Sequence, residues 1–421
     1  MFESIPNAMP ACFEKWCQMF DDVFPRQSQQ SYFRTYLAGL LSETKRKNIF
    51  AIASNTVGVG YFNLHHFLHD APWDLEAFNN RRIDVIYQNR QARPSADFRL
   101  ILDDSGHRKS GDSTDGVARQ YLGQIGKVDN GMVHVTTHIF DGKRAYPLDL
   151  AMYKPAGTLE NGKEDEQFKK KPELALQLID KSIARGLIPG LTLFDSGYGN
   201  NGPFLQAIEQ RNLKYVAALV SSRKISIQME GQPKRTSHRL DEVVKTIKPE
   251  DFKKVTLQLD KPRDVWVAAL SVFFPKLGDR TIAFQLNAAT LEEATEVCYF
   301  LTNVESEKAT AEWIAQSYSE RNWIEVFYRE VKGWLGMTHY QVRDQRSIER
   351  HWHMAFNAFT FLTFQRLTGG LRRQYSTEPI ETFGDAYRVF CHAVENMLLK
   401  WLPQNLDALI AHRAARGLIF A

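Results

Sequence analysis

The chain is poor in cysteine, with four in 421 residues: Cys12, Cys17, Cys298 and Cys391. They are too few and too scattered for a disulfide-stapled scaffold. Near Cys12 and Cys17 there is no second cysteine pair or histidine set at zinc-finger spacing, so isolated reduced thiols are the expectation. No run approaches the ~18 apolar residues that a membrane span needs. The opening stretch MFESIPNAMPACFEKW has no basic segment followed by an apolar core, so neither a secretion signal nor a membrane partner is expected, and the cytoplasm is the expected location. A large excess of one charge is missing too. The net charge of +4 permits a polyanionic partner without demanding one. There is no internal repeat and no low-complexity tract. What is present is 43% hydrophobic and 12% aromatic residues, the composition of a folded chain with a large core. At roughly 150 residues per unit, this length suggests two or three units.

Residues 1–92 read as helical, with helix-period apolar patterns over Cys12–Phe20, Gln30–Ser42, Asn48–Ser54, Phe62–Leu68 and Leu75–Asn89. Scattered Arg and Lys, including Lys45–Arg46–Lys47, leave two readings open, a DNA-binding helical module or a plain helical cap. The period then changes to that of strands. Asp97–Asp104 (DFRLILDD) is an apolar run ending in two acids, and Met132–Phe140 and Arg144–Tyr153 flank the hairpin signal Asp141–Gly142. Ser105–Asn130 reads as a loop rich in Gly, Ser and basic residues, and Glu160–Lys171 as a second, flexible one. Pro172–Arg185 is an expected helix, Leu191–Asp195 a short buried strand, Pro203–Gln210 a helix and Tyr215–Val220 a strand. Three strands, then helix, strand, helix and strand, is the element order of an RNase H-like α/β domain. Its first part is expected at 93–222, a β-rich basic insertion at 223–304, the returning core helix at 305–340 and a helical C-terminal region at 341–421. The last region contains Ser347–Leu367, Pro379–Trp401 and Asn405–Gly417.

Ala311–Gly336 is expected to be one long helix, with Ile324, Phe327, Val331 and Trp334 on one face. On a neighbouring stripe stand Tyr318, Arg321, Glu325 and Lys332, at intervals of three, four and seven. Taken alone, Arg321–Glu325–Arg329 also reads as a solvated ladder of ion pairs. The acids that end two upstream strands weigh against that reading. Carboxylates held rigidly at strand ends, with a third on a helix, are what two-metal phosphoryl transfer requires, and Mg²⁺ is held by few carboxylates. Adjacent acids on an apolar strand are costly unless something cationic meets them.

LDDSGHRKSG, FDSGYG and the Tyr318, Arg321, Glu325, Lys332 spacing together resemble bacterial insertion-sequence transposases of the Asp-Asp-Glu type, in the cut-and-paste branch marked by a Tyr-Arg-Glu-Lys signature. The likeness spans roughly residues 95–340 and implies a DNA transposase. Such an enzyme would bind the terminal inverted repeats of an insertion sequence, hydrolyse DNA with Mg²⁺ (Mn²⁺ as substitute) at a two-metal site, and join the freed 3′-hydroxyl to target DNA. The resemblance makes Asp195 and Glu325 metal ligands. For the first ligand both Asp103 and Asp104 fit the motif, and Asp104, nearer the loop, is favoured. Tyr318, Arg321 and Lys332 would contact DNA-end phosphates, and His107, Arg108, Lys109 and Arg119 add cations beside the metal site. Tyr299, Phe300 and Trp266 are candidates to hold a flipped base, against a reading as core aromatics. His351 and His353, two apart on a helix, do not make a metal pair. A homodimer on double-stranded DNA at the nucleoid is expected, with the C-terminal helices pairing protomers or gripping the ends. A nuclease without strand transfer and a silent DNA-binding derivative are the rival readings.

Overall fold

The computed structural model describes residues 9–228, 234–259, 261–274 and 276–417. The start of the expected N-terminal region, short pieces of the expected insertion and the last four residues lie outside the described residues. Helices α1 (Ala11–Gln18), α2 (Gln27–Leu41), α3 (Ile49–Ser54), α4 (Tyr61–His69) and α5 (Leu75–Gln88) come first. Asn48 caps α3 by accepting from the Ala51 N–H at 2.9 Å, and Asp74 caps α5 by accepting from the Ala77 N–H at 2.6 Å.

The sheet begins with β1 (Arg99–Arg108), β2 (Ala118–Leu122), β3 (Lys127–Phe140) and β4 (Ala145–Tyr153). Then come α6 (Lys171–Ala184), β5 (Leu191–Phe194), α7 (Ser196–Gly199), α8 (Gly202–Gln210) and β6 (Tyr215–Leu219). The spatial order is β4-β3-β1-β5-β6. β3 is antiparallel to β1, while β5 and β6 run parallel to it. That is the RNase H-like arrangement expected from the element order.

The following segment holds β7 (Lys224–Ile227), β8 (Thr236–Arg239), the short α9 (Leu240–Val243), β9 (Lys253–Leu257), β10 (Arg263–Phe274), β11 (Gly278–Leu286) and β12 (Val297–Thr302). These strands form no separate layer. β12 pairs with β6, β11 with β12 and β10 with β11, so one mixed sheet of twelve strands runs through the described residues. The chain ends in α10 (Ala311–Ser319), α11 (Asn322–Gly333), α12 (Gln345–Thr368), α13 (Gly370–Tyr375) and α14 (Phe383–Ala414). The first and last helices share one core, in which Phe13, Trp16, Phe20 and Phe33 join Trp352, Phe361 and Phe390.

Two layers cover the sheet, and the strand period of two decides which side chains each receives. Leu100 and Leu102 of β1 pack with Leu174 and Leu178 of α6 and Phe204 of α8. Ile101 of β1 and Leu193 of β5 belong to the other core, with Ile324, Phe327 and Val331 of α11.

Three expectations are corrected. The expected loop Ser105–Asn130 is largely ordered. β1 runs on to Arg108, and β2 pairs with an extended β3 from Ala118↔Gly131 to Leu122↔Lys127. Gly131 permits this, since any side chain there would run into the His107 carbonyl. The expected helices Pro379–Trp401 and Asn405–Gly417 are joined as α14, kinked at Asn405 (φ −136°, ψ 20°) just after Pro403. The expected single helix Ala311–Gly336 is broken between α10 and α11. At the break Glu320, Arg321, Trp323 and Ile324 donate to carbonyls three residues back, a tightened 3₁₀-type turn. Glu320 pairs with Arg99 at 2.7 Å and Arg321 with Asp103 at 2.8 Å. Both contacts tie the break to β1.

Candidate active site

Asp103 sits on β1 in phase with Ile101, and Asp195 follows β5 in phase with Leu191 and Leu193, so both belong to the face covered by α11. Asp195 caps α7 and accepts from the N–H groups of Gly197 and Tyr198 at 2.9 and 3.3 Å. Glu325 reaches the same place from the first turn of α11. Between the acids lies the Arg321 guanidinium, 2.8 Å from an Asp103 oxygen and 3.3 Å from Glu325 Oε1. The Asp103 side chain is 8% exposed and that of Glu325 55%, so the cluster opens to solvent on the helix side.

Burial pushes the Asp103 carboxyl up to about 7. Arg321 opposes the rise, and Asp195, Glu325 and Asp104 add to it. Asp195 is raised for the same first reason, with Arg321 and its two backbone donors pulling it back. Burial by itself would lower Arg321, but Asp103 and its neighbours outweigh it and hold the guanidinium protonated. One cation thus faces three carboxyl groups, whose mutual repulsion helps raise Asp103.

Asp104, the favoured first ligand, projects to the opposite face, where the Lys171 ammonium at the start of α6 lies 2.6 Å away. In the sequence Lys171 reads as the end of a loop, and no local signal marks it, because the contact depends on sheet register. The remaining signature residues turn inward. Tyr318 stacks on Phe300 of β12 with ring centroids 4.3 Å apart. Lys332 donates to Ser105 Oγ at 2.7 Å and lies 5.2 Å from the Tyr328 ring centroid, and burial lowers its ammonium to about 8. Tyr328, also unmarked in the sequence, bonds the hydroxyl of Thr136, the cross-strand partner of Asp103. Of the expected ladder, Arg321–Glu325 forms, while Arg329 pairs with Glu330 at 3.7 Å.

The loop cations divide. Arg119 is exposed on β2, and Arg108 is exposed and paired with Asp129 at 3.0 Å. Lys109 is drawn in, donating to the Tyr340 carbonyl at 2.9 Å with its ammonium 3.3 Å from that ring's centroid. His107 is buried and bonded to the Tyr340 hydroxyl at 2.9 Å. Tyr299 and Phe300 are core aromatics, and Trp266 is half-buried beside Lys254. His351 bonds Tyr36 at 2.7 Å and His353 the Glu349 carbonyl at 2.8 Å, so the two serve separate contacts.

Among the described residues, no group of three or more His, Cys, Asp or Glu side chains is spaced to hold one metal ion as it stands. The donors nevertheless fit a hard divalent cation by their chemistry. They are all carboxylate oxygens, one is deeply buried, and they are gathered around a positive charge. An acid cluster of this kind on an RNase H-like sheet defines a nucleic-acid phosphoryl-transfer class. A family model described as DDE superfamily endonuclease matches residues 19–266, more than half of the chain, and the chain belongs to that family. The match includes Asp103, Asp104 and Asp195 and ends before Glu325. Over 216 residues, 51% of this chain, it is 36% identical to a probable transposase for insertion sequence element IS701 of Microchaete diplosiphon. It covers 55% of that protein, so the chain spans about half the length of this curated relative. The resemblance to Asp-Asp-Glu transposases of insertion sequences therefore stands.

Among solved structures, a piggyBac transposase synaptic complex with hairpin DNA aligns with TM-score 0.45 and 11% identity, over 96% of this chain and 82% of that one. The NurA nuclease from Sulfolobus solfataricus aligns with TM-score 0.26 and 9% identity, over 60% of this chain and 92% of that one. Both alignments are too loose to carry residues across. Among the described residues, no helix is long and apolar enough to cross a membrane.

Proposed function

We propose that this chain is a DNA transposase that cuts at the terminal inverted repeats of an insertion sequence and joins the freed 3′-hydroxyl ends to target DNA. The observation that carries the proposal is the meeting of Asp103, Asp195 and Glu325 on one face of the sheet around a single guanidinium. In this reading the first ligand is Asp103 rather than Asp104, because strand alternation turns Asp104 away toward Lys171. Asp103, Asp195 and Glu325 would hold Mg²⁺, or Mn²⁺ in its place. When bound, the ions supply charge neutralisation at the scissile phosphate and lower the pKa of a ligated water. The chain's own groups do the rest. β1 and β5 hold two acids on rigid strand ends. Glu325, on the solvent-facing helix, completes the set from the side open to substrate. Lys332 positions Ser105 and keeps a positive charge beside the acids. Arg119 and Arg108 would grip the DNA backbone next to the site. Two protomers acting together, one at each DNA end, complete the proposal.

The test is cleavage of DNA carrying the element's own ends in Mg²⁺, followed by joining of a pre-cut end to plasmid. Wild type should cut and join. Glu325→Gln, Asp195→Asn and Asp103→Asn should bind the ends without cutting. Cutting without joining would make the chain a nuclease, and binding with no cutting in Mg²⁺ or Mn²⁺ a silent DNA-binding protein.

A further inference from the structure

The Arg321 guanidinium occupies the middle of the acid cluster. Its terminal nitrogens reach Asp103 and Glu325 at 2.8 and 3.3 Å, and the charge of Asp195 acts on it as well. Its Nε is buried and has no hydrogen-bond partner among the described residues, so the group is held from one side and not locked into a closed network. It also hangs from the tightened turn between α10 and α11 and not from mid-helix. The neighbouring cation Lys332 is turned to Ser105 and pairs with none of the three acids. With Arg321 in this position the carboxylates face a guanidinium, and they are not spaced to share an ion.

We infer that Arg321 and a divalent cation are alternative partners for the same carboxylates. Entry of the ion would release the arginine, which would then pair with a DNA phosphate. A planar guanidinium suits both a carboxylate and a phosphate as bidentate partner, so the exchange costs it little specificity. The charges balance in sense as well. One positive charge serves three acids before exchange, and a doubly charged ion serves them afterwards, while the arginine moves to a new anion. Arg321 is then a positioning residue that links ion entry to phosphate binding. This inference rests on the reading of Asp103, Asp195 and Glu325 as the metal-holding acids.

The test uses the full chain and Mn²⁺ alone. Residue-resolved modification of arginines by phenylglyoxal, read by mass spectrometry, follows Arg321 with and without the ion. Mn²⁺ affinity is measured by calorimetry for wild type, Arg321→Gln and Asp103→Asn. Arg321 should be protected at first and become several-fold more reactive with Mn²⁺. Arg321→Gln should bind Mn²⁺ about tenfold tighter or more, since a competing positive charge a few ångströms away is gone. If Mn²⁺ binds wild type and not Asp103→Asn, yet Arg321 stays protected, the exchange is wrong and the metal-site reading survives. If neither wild type nor Arg321→Gln binds Mn²⁺, the metal-site reading falls and the exchange with it. The modification arm needs only wild-type protein, so a variant that fails to fold does not rescue the inference.

Discussion

Asp103 and Asp104 are consecutive in the chain and meet different worlds. Asp103 looks onto α11, shares a guanidinium with Glu325 and is itself buried, which raises its carboxyl to about 7. Asp104 looks onto α6 and pairs with one lysine in a partly exposed position. The same residue type thus has two electrostatic settings, separated by a single step of the strand. The comparison teaches that a doubled acid motif need not place both acids in one cluster. Alternation sends Asp103 to the Arg321 cluster and leaves Asp104 to pair on the far face.

The largest effect that would break or sustain this contrast is on chemistry. Asp103→Asn should cut DNA ends about 10²–10³-fold more slowly, the scale of losing a principal electrostatic stabiliser. Asp104→Asn should lose clearly less, because its carboxylate pairs with Lys171 on the far face. Equal losses in single-turnover cleavage would erase the distinction. Stability offers a second comparison. Arg321→Met leaves buried Asp103 unpaired and should cost about 3–5 kcal/mol, whereas Lys171→Met breaks a half-exposed pair and should cost about 1 kcal/mol or less. Urea midpoints of the two variants decide it.

The α11-facing side also buries His134, His138 and His351, each with its pKa lowered to about 3, chiefly by burial. The native state then keeps them neutral, while the unfolded chain protonates them below about 6.5. Stability is therefore full above that value and falls as pH drops toward 3, by up to about 1.4 kcal/mol per pH unit for each histidine. His138→Leu should remove about 2 kcal/mol of the loss between pH 6.5 and 5, measured by denaturant unfolding at both values. The smallest effect separates the loop cations. Arg119→Ala should weaken DNA binding a few-fold and reduce the salt slope by about 1. Lys109→Met should leave the slope unchanged and lower thermal stability, because its ammonium is spent on Tyr340.

Much of this was legible in one dimension. The strand runs before Asp104 and Asp195, the order of the core elements, and the spacing of Tyr318, Arg321, Glu325 and Lys332 all depend on local periodicity, which side-chain pattern reports directly. The course of β1 beyond Asp104 and the pairing of β2 with β3 were not legible. Gly131 and the cross-strand partner of Arg119 have meaning only once two segments about a dozen residues apart lie side by side. The inward turn of Arg321, Tyr318 and Lys332 was hidden for a similar reason. A helix period says which residues share a stripe and does not say what covers it.

The amino-acid order by itself determined the RNase H-like succession of elements, the acids available at the strand ends and the cations near them, because these follow from periods of two and 3.6 and from residue chemistry. The tertiary structure decided which of Asp103 and Asp104 faces Glu325, that Arg321 sits among the acids, and that the strands after β6 extend one sheet rather than build a second. Those outcomes depend on register and on which layer covers each face. Burial there sets the charge of a carboxylate, and that comes from residues more than two hundred positions away in the chain.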